Sequence, residues 1–188
     1  MSQTRESVDK QDLYLKYAFE QGVSLRARTI QLVGEVDSSM FKLVDSALTE
    51  LEMYNQKAVT FRINSEGGSV YDALAIIGRM ESSKCRIITE GYGAVMSAAT
   101  AILAAGSKRR LSRHTVFMHH EASYDTEGRH SEIKALVKQR ENEERGWARL
   151  MAEYTDRPVA FWLKNGIYKD TYFTAQQLLD FGVVDSLL

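Results

Sequence analysis

The chain has 188 residues, of which 44% are hydrophobic and 26% are charged, and this composition excludes disorder as its main state. A formal net charge of −1 argues against binding of nucleic acid, and a single cysteine excludes both a disulfide framework and a cysteine zinc site. The chain has no apolar signal region and no run near the ~18 apolar residues of a membrane span. We therefore expect a soluble, cytoplasmic protein without membrane contact. Its length predicts a single domain over residues 1–188, with residues 1–28 as an N-terminal arm.

Predicted strands and helices alternate along the first two thirds of the chain. Apolar runs bounded by turn residues predict the strands, and capping residues such as Asp37 and Ser69 mark helix starts. Such an order implies an α/β fold with a parallel sheet and right-handed crossovers. The predicted strands are 29–33, 58–63, 85–90 and 115–118, and the helices between them are 39–54, 69–82 and 94–105. Turns are expected at 64–68 and 91–93. The basic stretch 108–113 is expected to be a solvated turn.

A long helix is predicted at residues 131–154, after a polar loop at 122–129. Its apolar stripe is interrupted at 139–145, where every residue is polar. Two interpretations fit this pattern equally well. The helix either projects and packs against a neighbouring subunit, or lies on the surface with its middle turns over solvent.

Two strand-to-helix junctions carry residues suited to chemistry, since sites in parallel sheets form where strands end and helices begin. Gly67 and Gly68 precede a helix and can turn backbone N–H groups toward an anion, although most glycine pairs are simply turns. Ser97 follows a strand and stands among glycine and alanine, which is suitable for an acyl-transfer nucleophile. On local sequence alone, a plain N-cap is the favoured interpretation of Ser97.

A nucleophilic serine needs a base, and the chain has only four histidines, at positions 114, 119, 120 and 130. His119 and His120 end the fourth predicted strand. Because adjacent strand residues point to opposite faces, only one of the two can face Ser97. Asp170, Asp180 and Asp185 are all available as an orienting carboxylate.

Five blocks of sequence, in the same order, resemble the ClpP family, the proteolytic subunits of Clp proteases. They cover most of the chain from Thr29 onward. The blocks are INSEGGSV at 63–70, similar to INSPGGSV; GAVMSAATAILAAG at 93–106, similar to GQAASMGAFLLAAG; VFMH at 116–119, similar to VMIH; KDTYFTA at 169–175, similar to RDRFLSA; and FGVVDSL at 181–187, similar to YGLVDSI.

The resemblance implies a serine endopeptidase and assigns roles within it. It places the nucleophile on Ser97, the general base on His119 rather than His120, and the third member of the triad on Asp170. It also implies an oxyanion hole formed by the backbone N–H groups of Gly68 and Ala98, and no metal or other cofactor.

The resemblance further implies a fold of crotonase-like ββα units with a protruding handle helix, here residues 122–155 with their loop. Its implied assembly is a homo-oligomer of stacked seven-membered rings that encloses a chamber for peptides and unfolded proteins. An AAA+ unfoldase is the family's partner, but Arg62 stands where the family has a docking tyrosine, which argues against a strong apolar anchor.

Two other functions compete with an active peptidase. One is a catalytically weak ring subunit that acts as a structural partner. The other is a crotonase-like enzyme that uses the same N–H donors to stabilise a thioester enolate, although an intact Ser-His-Asp set is superfluous there.

Overall fold

A computed structural model describes residues 20–188, in which one mixed sheet is flanked by helices. Within these residues, no helix is long and apolar enough to cross a membrane. The strands are β1 (Val23–Ser24), β2 (Thr29–Val36), β3 (Val59–Gly68), β4 (Ile87–Met96), β5 (Lys108–Leu111), β6 (Val116–His119), β7 (Thr171–Phe173) and β8 (Ser186–Leu187). The helices are α1 (Ser38–Tyr54), α2 (Val70–Glu81), α3 (Ala98–Ala104), α4 (His130–Tyr154), α5 (Val159–Gly166) and α6 (Ala175–Asp180).

The sheet is built around parallel pairs, as the alternation of strands and helices predicts. Its main path runs β1-β2-β3-β4-β5-β8, and β2, β3, β4 and β5 are mutually parallel. β4 is long enough to take a second parallel neighbour, β6, beyond the end of β5. β6 in turn pairs with β7 in the antiparallel sense. The carboxyl ends of β3, β4 and β6 therefore lie side by side.

Helix α1 illustrates how the sequence forms the helices that flank the sheet. The side chain of Asp37 caps it by accepting from the N–H groups of Ser39 and Met40, at 3.0 and 2.8 Å. Its buried residues recur at helical spacing, so that one face packs on the sheet while the other meets solvent. Burying each large apolar side chain contributes about 1.5–3 kcal/mol.

Two predicted turns belong to strands. β3 continues through 64–68 and β4 continues through 91–93, so both strands are longer than predicted. The strands stay paired there because the pairing register shifts locally near the glycines. The Asn64 side chain also joins β3 to β4, since it accepts from the N–H of Ala94 at 2.9 Å. The predicted helix at 94–105 accordingly begins only at Ala98.

The basic stretch at 108–113 is also not a solvated turn, since its first four residues form β5. Arg109 pairs with Asp185 at 2.5 Å, and Arg110 pairs with the buried Glu90 at 3.3 Å. Opposite charges from neighbouring strands therefore hold this segment in the sheet. Most of the predicted N-terminal arm lies outside the described residues, and within it Val23–Ser24 form β1.

Candidate active site

Ser97 stands at a sharp junction between strand β4 and helix α3. Its backbone has φ of 51° and ψ of −124°, a left-handed conformation that costs a non-glycine residue about 1–3 kcal/mol. Although Ser97 occupies the N-cap position of α3, its side chain makes no capping hydrogen bond. Ser97 is therefore the N-cap residue by position, but its side chain does not cap the helix. Sequence reasoning missed the strained backbone, which turns the hydroxyl away from its own helix.

The Ser97 hydroxyl instead contacts His120, whose ring also contacts Asp170. The distance from His120 Nε2 to Ser97 Oγ is 2.8 Å, and the distance from His120 Nδ1 to Asp170 Oδ1 is 3.2 Å. A carboxylate can only accept, so Nδ1 carries the proton and Nε2 is left to accept from the serine hydroxyl. The three side chains thus form one hydrogen-bonded chain.

Strand register explains why these three residues meet. The N–H of Ser97 donates to the carbonyl of Met118 at 2.9 Å, which fixes the end of β6 beside the serine. In the antiparallel pair of β6 and β7, His119 lies opposite Thr171. One step further along the same register, His120 comes opposite Asp170.

The predicted placement of His119 beside Ser97 is wrong. His119 points to the opposite face of β6, where its ring packs edge-on against Trp162 with centroids 5.1 Å apart. Its Nε2 lies 3.2 Å from the carbonyl oxygen of Trp162. The block VFMH is similar to the family's VMIH and led to the assignment of His119. The alternation of side chains along the strand instead brings His120 to the serine.

Burial lowers the pKa of His119 to about 4 from an ordinary value of 6.5. Between these two values the unfolded chain binds a proton that the folded chain excludes, so stability falls as the pH falls through this window. The loss amounts to about 3 kcal/mol of the free energy of unfolding.

We therefore expect His119→Gln to flatten the acid side of the stability profile. Glutamine keeps an N–H donor for the Trp162 carbonyl but does not titrate. Urea unfolding at pH 7 and pH 4, at one protein concentration, measures the difference, and His114→Gln at an exposed position serves as the control. An equal loss of stability in wild type and His119→Gln would contradict the assignment.

The glycine pair at the end of β3 is closely packed, with Gly67 against Ser97 and Gly68 against Val36. A Cβ added at Gly67, where φ is +102°, would be 2.6 Å from the Ser97 Cβ and 3.0 Å from the nitrogen of Ala98. At Gly68, where φ is +146°, it would be 2.4 Å from the carbonyl oxygen of Val36. Only glycine allows this close approach. Ala98 is the first residue of α3, where backbone N–H groups have no acceptor within the helix.

A cavity opens beside Ser97 and His120, between the end of the sheet and helices α4 and α5. The cavity is narrow, with a volume of about 50 Å³ accessible to water-sized groups. Apolar walls come from Val70, Trp147, Ala148, Leu163 and Ile167, and carboxylates from α4 and the end of β6 also line it.

Comparison with known proteins identifies the family. The family model for Clp protease matches residues 17–188. The chain belongs to the Clp protease family. That membership confirms the predicted α/β fold of ClpP type and the predicted class of enzyme, a serine-type peptidase.

Relatives in this family are similar along most of their length. The chain is 32% identical over 167 residues to ATP-dependent Clp protease proteolytic subunit 2 of Rhodococcus jostii (strain RHA1), covering 87% of this chain and 85% of the relative. It is also 32% identical over 167 residues to proteolytic subunit 1 of Corynebacterium jeikeium (strain K411), covering 87% and 88%. Proteolytic subunit 3 of R. jostii is 31% identical over 166 residues, covering 87% and 82%.

Proposed function

We propose that this Clp protease family member hydrolyses peptide bonds with Ser97 as nucleophile, His120 as general base and Asp170 as the carboxylate that orients the imidazole. The observation that carries the proposal is the hydrogen-bonded chain from Asp170 through His120 to the Ser97 hydroxyl. His120 is partly shielded, with a side chain 25% exposed, whereas Asp170 lies at the mouth with a side chain 58% exposed.

The mechanism follows from the direction of these hydrogen bonds. Ser97 Oγ attacks the peptide carbonyl carbon while its proton passes to His120 Nε2, and the Asp170 carboxylate stabilises the imidazolium. The tetrahedral intermediate then collapses: the C–N bond breaks and Nε2 gives its proton to the leaving amine. Water, deprotonated by the same imidazole, attacks the remaining ester and releases Ser97.

The oxyanion is held by the backbone N–H groups of Gly68 and Ala98 in this proposal. Support comes from the position of Ala98 at the start of α3 and from the backbone of Gly67, which precedes Gly68 and packs against Ser97 and Ala98. Donors fixed in place before the reaction stabilise the developing charge without reorganisation.

We propose that the chain works as a homo-oligomer of stacked seven-membered rings around a chamber that admits peptides or unfolded proteins. Helix α4 supports an assembly, since its only buried residues in the described chain are Ala148 and Met151, near its C-terminal end. The first turns leave Val137 51% exposed, with Ile133 and Leu136 only partly covered. A neighbouring subunit would cover this apolar surface, in line with the first interpretation of the helix.

An ATP-driven unfoldase with an apolar anchor loop is less well supported. Arg62 projects from β3 with a side chain 52% exposed and pairs with the buried Glu90 at 3.2 Å. Glu90 also pairs with Arg110, so a charged network occupies this part of the sheet. The relatives are named as ATP-dependent, and a partner of this chain would have to bind a charged surface.

Hydrolysis of an internally quenched peptide library by the purified chain tests the proposed function. We expect cleavage at internal peptide bonds, detected as fluorescence and mapped by mass spectrometry. Ser97→Ala should lower the rate by about ten-thousandfold or more while native mass shows the same oligomer. Equal cleavage by Ser97→Ala would overturn the proposal.

A further inference from the structure

The cavity beside Ser97 lies where the side chain of a bound substrate would meet the protein. Ser97 and His120 form its rim, and Trp147, Ala148 and Leu163 form an apolar wall behind them. The carbonyl that Ser97 attacks lies one bond from the Cα of its residue, so the side chain of that residue begins close to this cavity. The residues that line the cavity are therefore the ones placed to select that side chain.

Carboxylates distinguish this cavity from a purely apolar pocket. Glu121, Glu143 and Glu144 line it, and no lysine or arginine of the described residues does. Burial, and then the neighbouring carboxylates of Glu121 and Glu141, raise the pKa of Glu144. Two half-buried acids thus repel each other at one end of the cavity.

Nearby cations do not neutralise this pair. Arg140 is held by Glu143 at 2.6 Å and lies over the Tyr124 ring at 3.7 Å, so Glu143 is the acid it neutralises. Arg145 lines the adjoining groove, but makes no ion pair with Glu121 or Glu144 within residues 20–188. The main hydrogen bond of the Glu121 carboxylate is accepted from the backbone N–H of Tyr168, at 3.0 Å.

A buried histidine lies behind this wall. His119 lines the same cavity and is only 4% exposed. Because the Trp162 carbonyl can only accept, Nε2 of His119 carries the proton and Nδ1 is left as an acceptor. Within the described residues this Nδ1 is buried and has no hydrogen-bond partner.

We propose that the cavity selects a lysine or arginine at the substrate residue on the acyl side of the cleaved bond, with Glu121 and Glu144 binding its cationic head. The inference rests on the proposed peptidase function and names the substrate class of that site. A long methylene stem fits the apolar wall, and cations bind favourably over tryptophan rings. The ammonium or guanidinium then relieves the repulsion between the two carboxylates.

Matched peptide substrates separate the effect of the cationic head from that of the methylene stem. Peptides that differ only in lysine, Nε-acetyl-lysine or norleucine at this position share the stem and differ in the cationic head. Hydrogen bonds to charged groups contribute enough to favour lysine by about tenfold to a hundredfold in kcat/KM. Glu144→Gln should lower the ratio of lysine to norleucine by about tenfold. Glu153→Gln, on the exposed surface of the same helix and outside the cavity, should leave the ratio as in wild type.

A binding measurement separates this inference from the proposed function. The affinity of Ser97→Ala for the same peptides, followed by fluorescence anisotropy, needs no catalysis and should show the same preference for lysine. If wild type cleaves nothing, the proposed function fails and the preference is decided by binding alone. If norleucine is cleaved or bound as well as lysine, or if Glu144→Gln leaves the ratio unchanged, the inference is overturned while the peptidase proposal stands.

Discussion

His120→Ala is expected to lower kcat/KM for peptide hydrolysis by about a thousandfold or more, because it removes the only imidazole within hydrogen-bonding distance of the Ser97 hydroxyl in the described chain. His119→Gln should keep activity within about tenfold of wild type, since Nε2 of His119 contacts the Trp162 carbonyl and not the Ser97 hydroxyl. The two variants change adjacent histidines, and glutamine keeps a donor for the Trp162 carbonyl.

Initial rates with one fluorogenic peptide, together with native mass to verify equal assembly, measure the contrast. The residual rate of His120→Ala reports what the oxyanion donors and substrate binding supply without a base. Greater loss in His119→Gln than in His120→Ala would show that the register of β6 against β4 and β7 is not the one seen here.

Gly67→Ala is expected to lower kcat/KM by about a hundredfold or more, since misplacement of a reacting group by about 1 Å is enough for such a loss. The added methyl would lie 2.6 Å from the Ser97 Cβ and 2.8 Å from the Met96 carbonyl oxygen, so the nucleophile or its strand must shift. The positive φ at this position adds a backbone cost of its own.

Gly34→Ala is the control that separates these two effects. Gly34 also has a positive φ, of +93°, but a Cβ there would meet nothing within 4 Å. It should lose about 1 kcal/mol of stability to backbone strain and keep its kcat/KM. Equal loss of activity in both variants would mean that backbone strain, and not crowding of Ser97, explains the effect.

Local signals in the sequence were enough to predict helices α1, α2 and α4 and the parallel core of the sheet. Asp37 caps α1 and Ser69 caps α2 as predicted, since a short polar side chain directly before an apolar run at helical spacing is typical of an N-cap. The short strands β5, β7 and β8 were not predicted. They have four, three and two residues, and they exist through pairing with distant segments, which a local pattern cannot reveal.

The difference between local signals and pairing with distant segments also explains why the sequence predicted the wrong histidine. Ser97 and Asp170 were located by sequence blocks similar to the family's, and both lie in the hydrogen-bonded chain. The choice between His119 and His120 depends on which face of β6 meets the serine. Phe117 and Met118 are both apolar and both buried, so alternation along this strand does not identify the face. The pairing with β7 and the ring of Trp162 decide it.

Covalent labelling by a fluorophosphonate, read by intact mass, tests most directly whether Ser97 is an activated nucleophile. We predict one adduct per chain in wild type and in His119→Gln, none in Ser97→Ala, and strongly slowed labelling in His120→Ala. Absence of an adduct in a wild-type oligomer verified by native mass would contradict an active site at Ser97 and favour a structural ring subunit. An adduct that persists in Ser97→Ala would place the reactive group elsewhere.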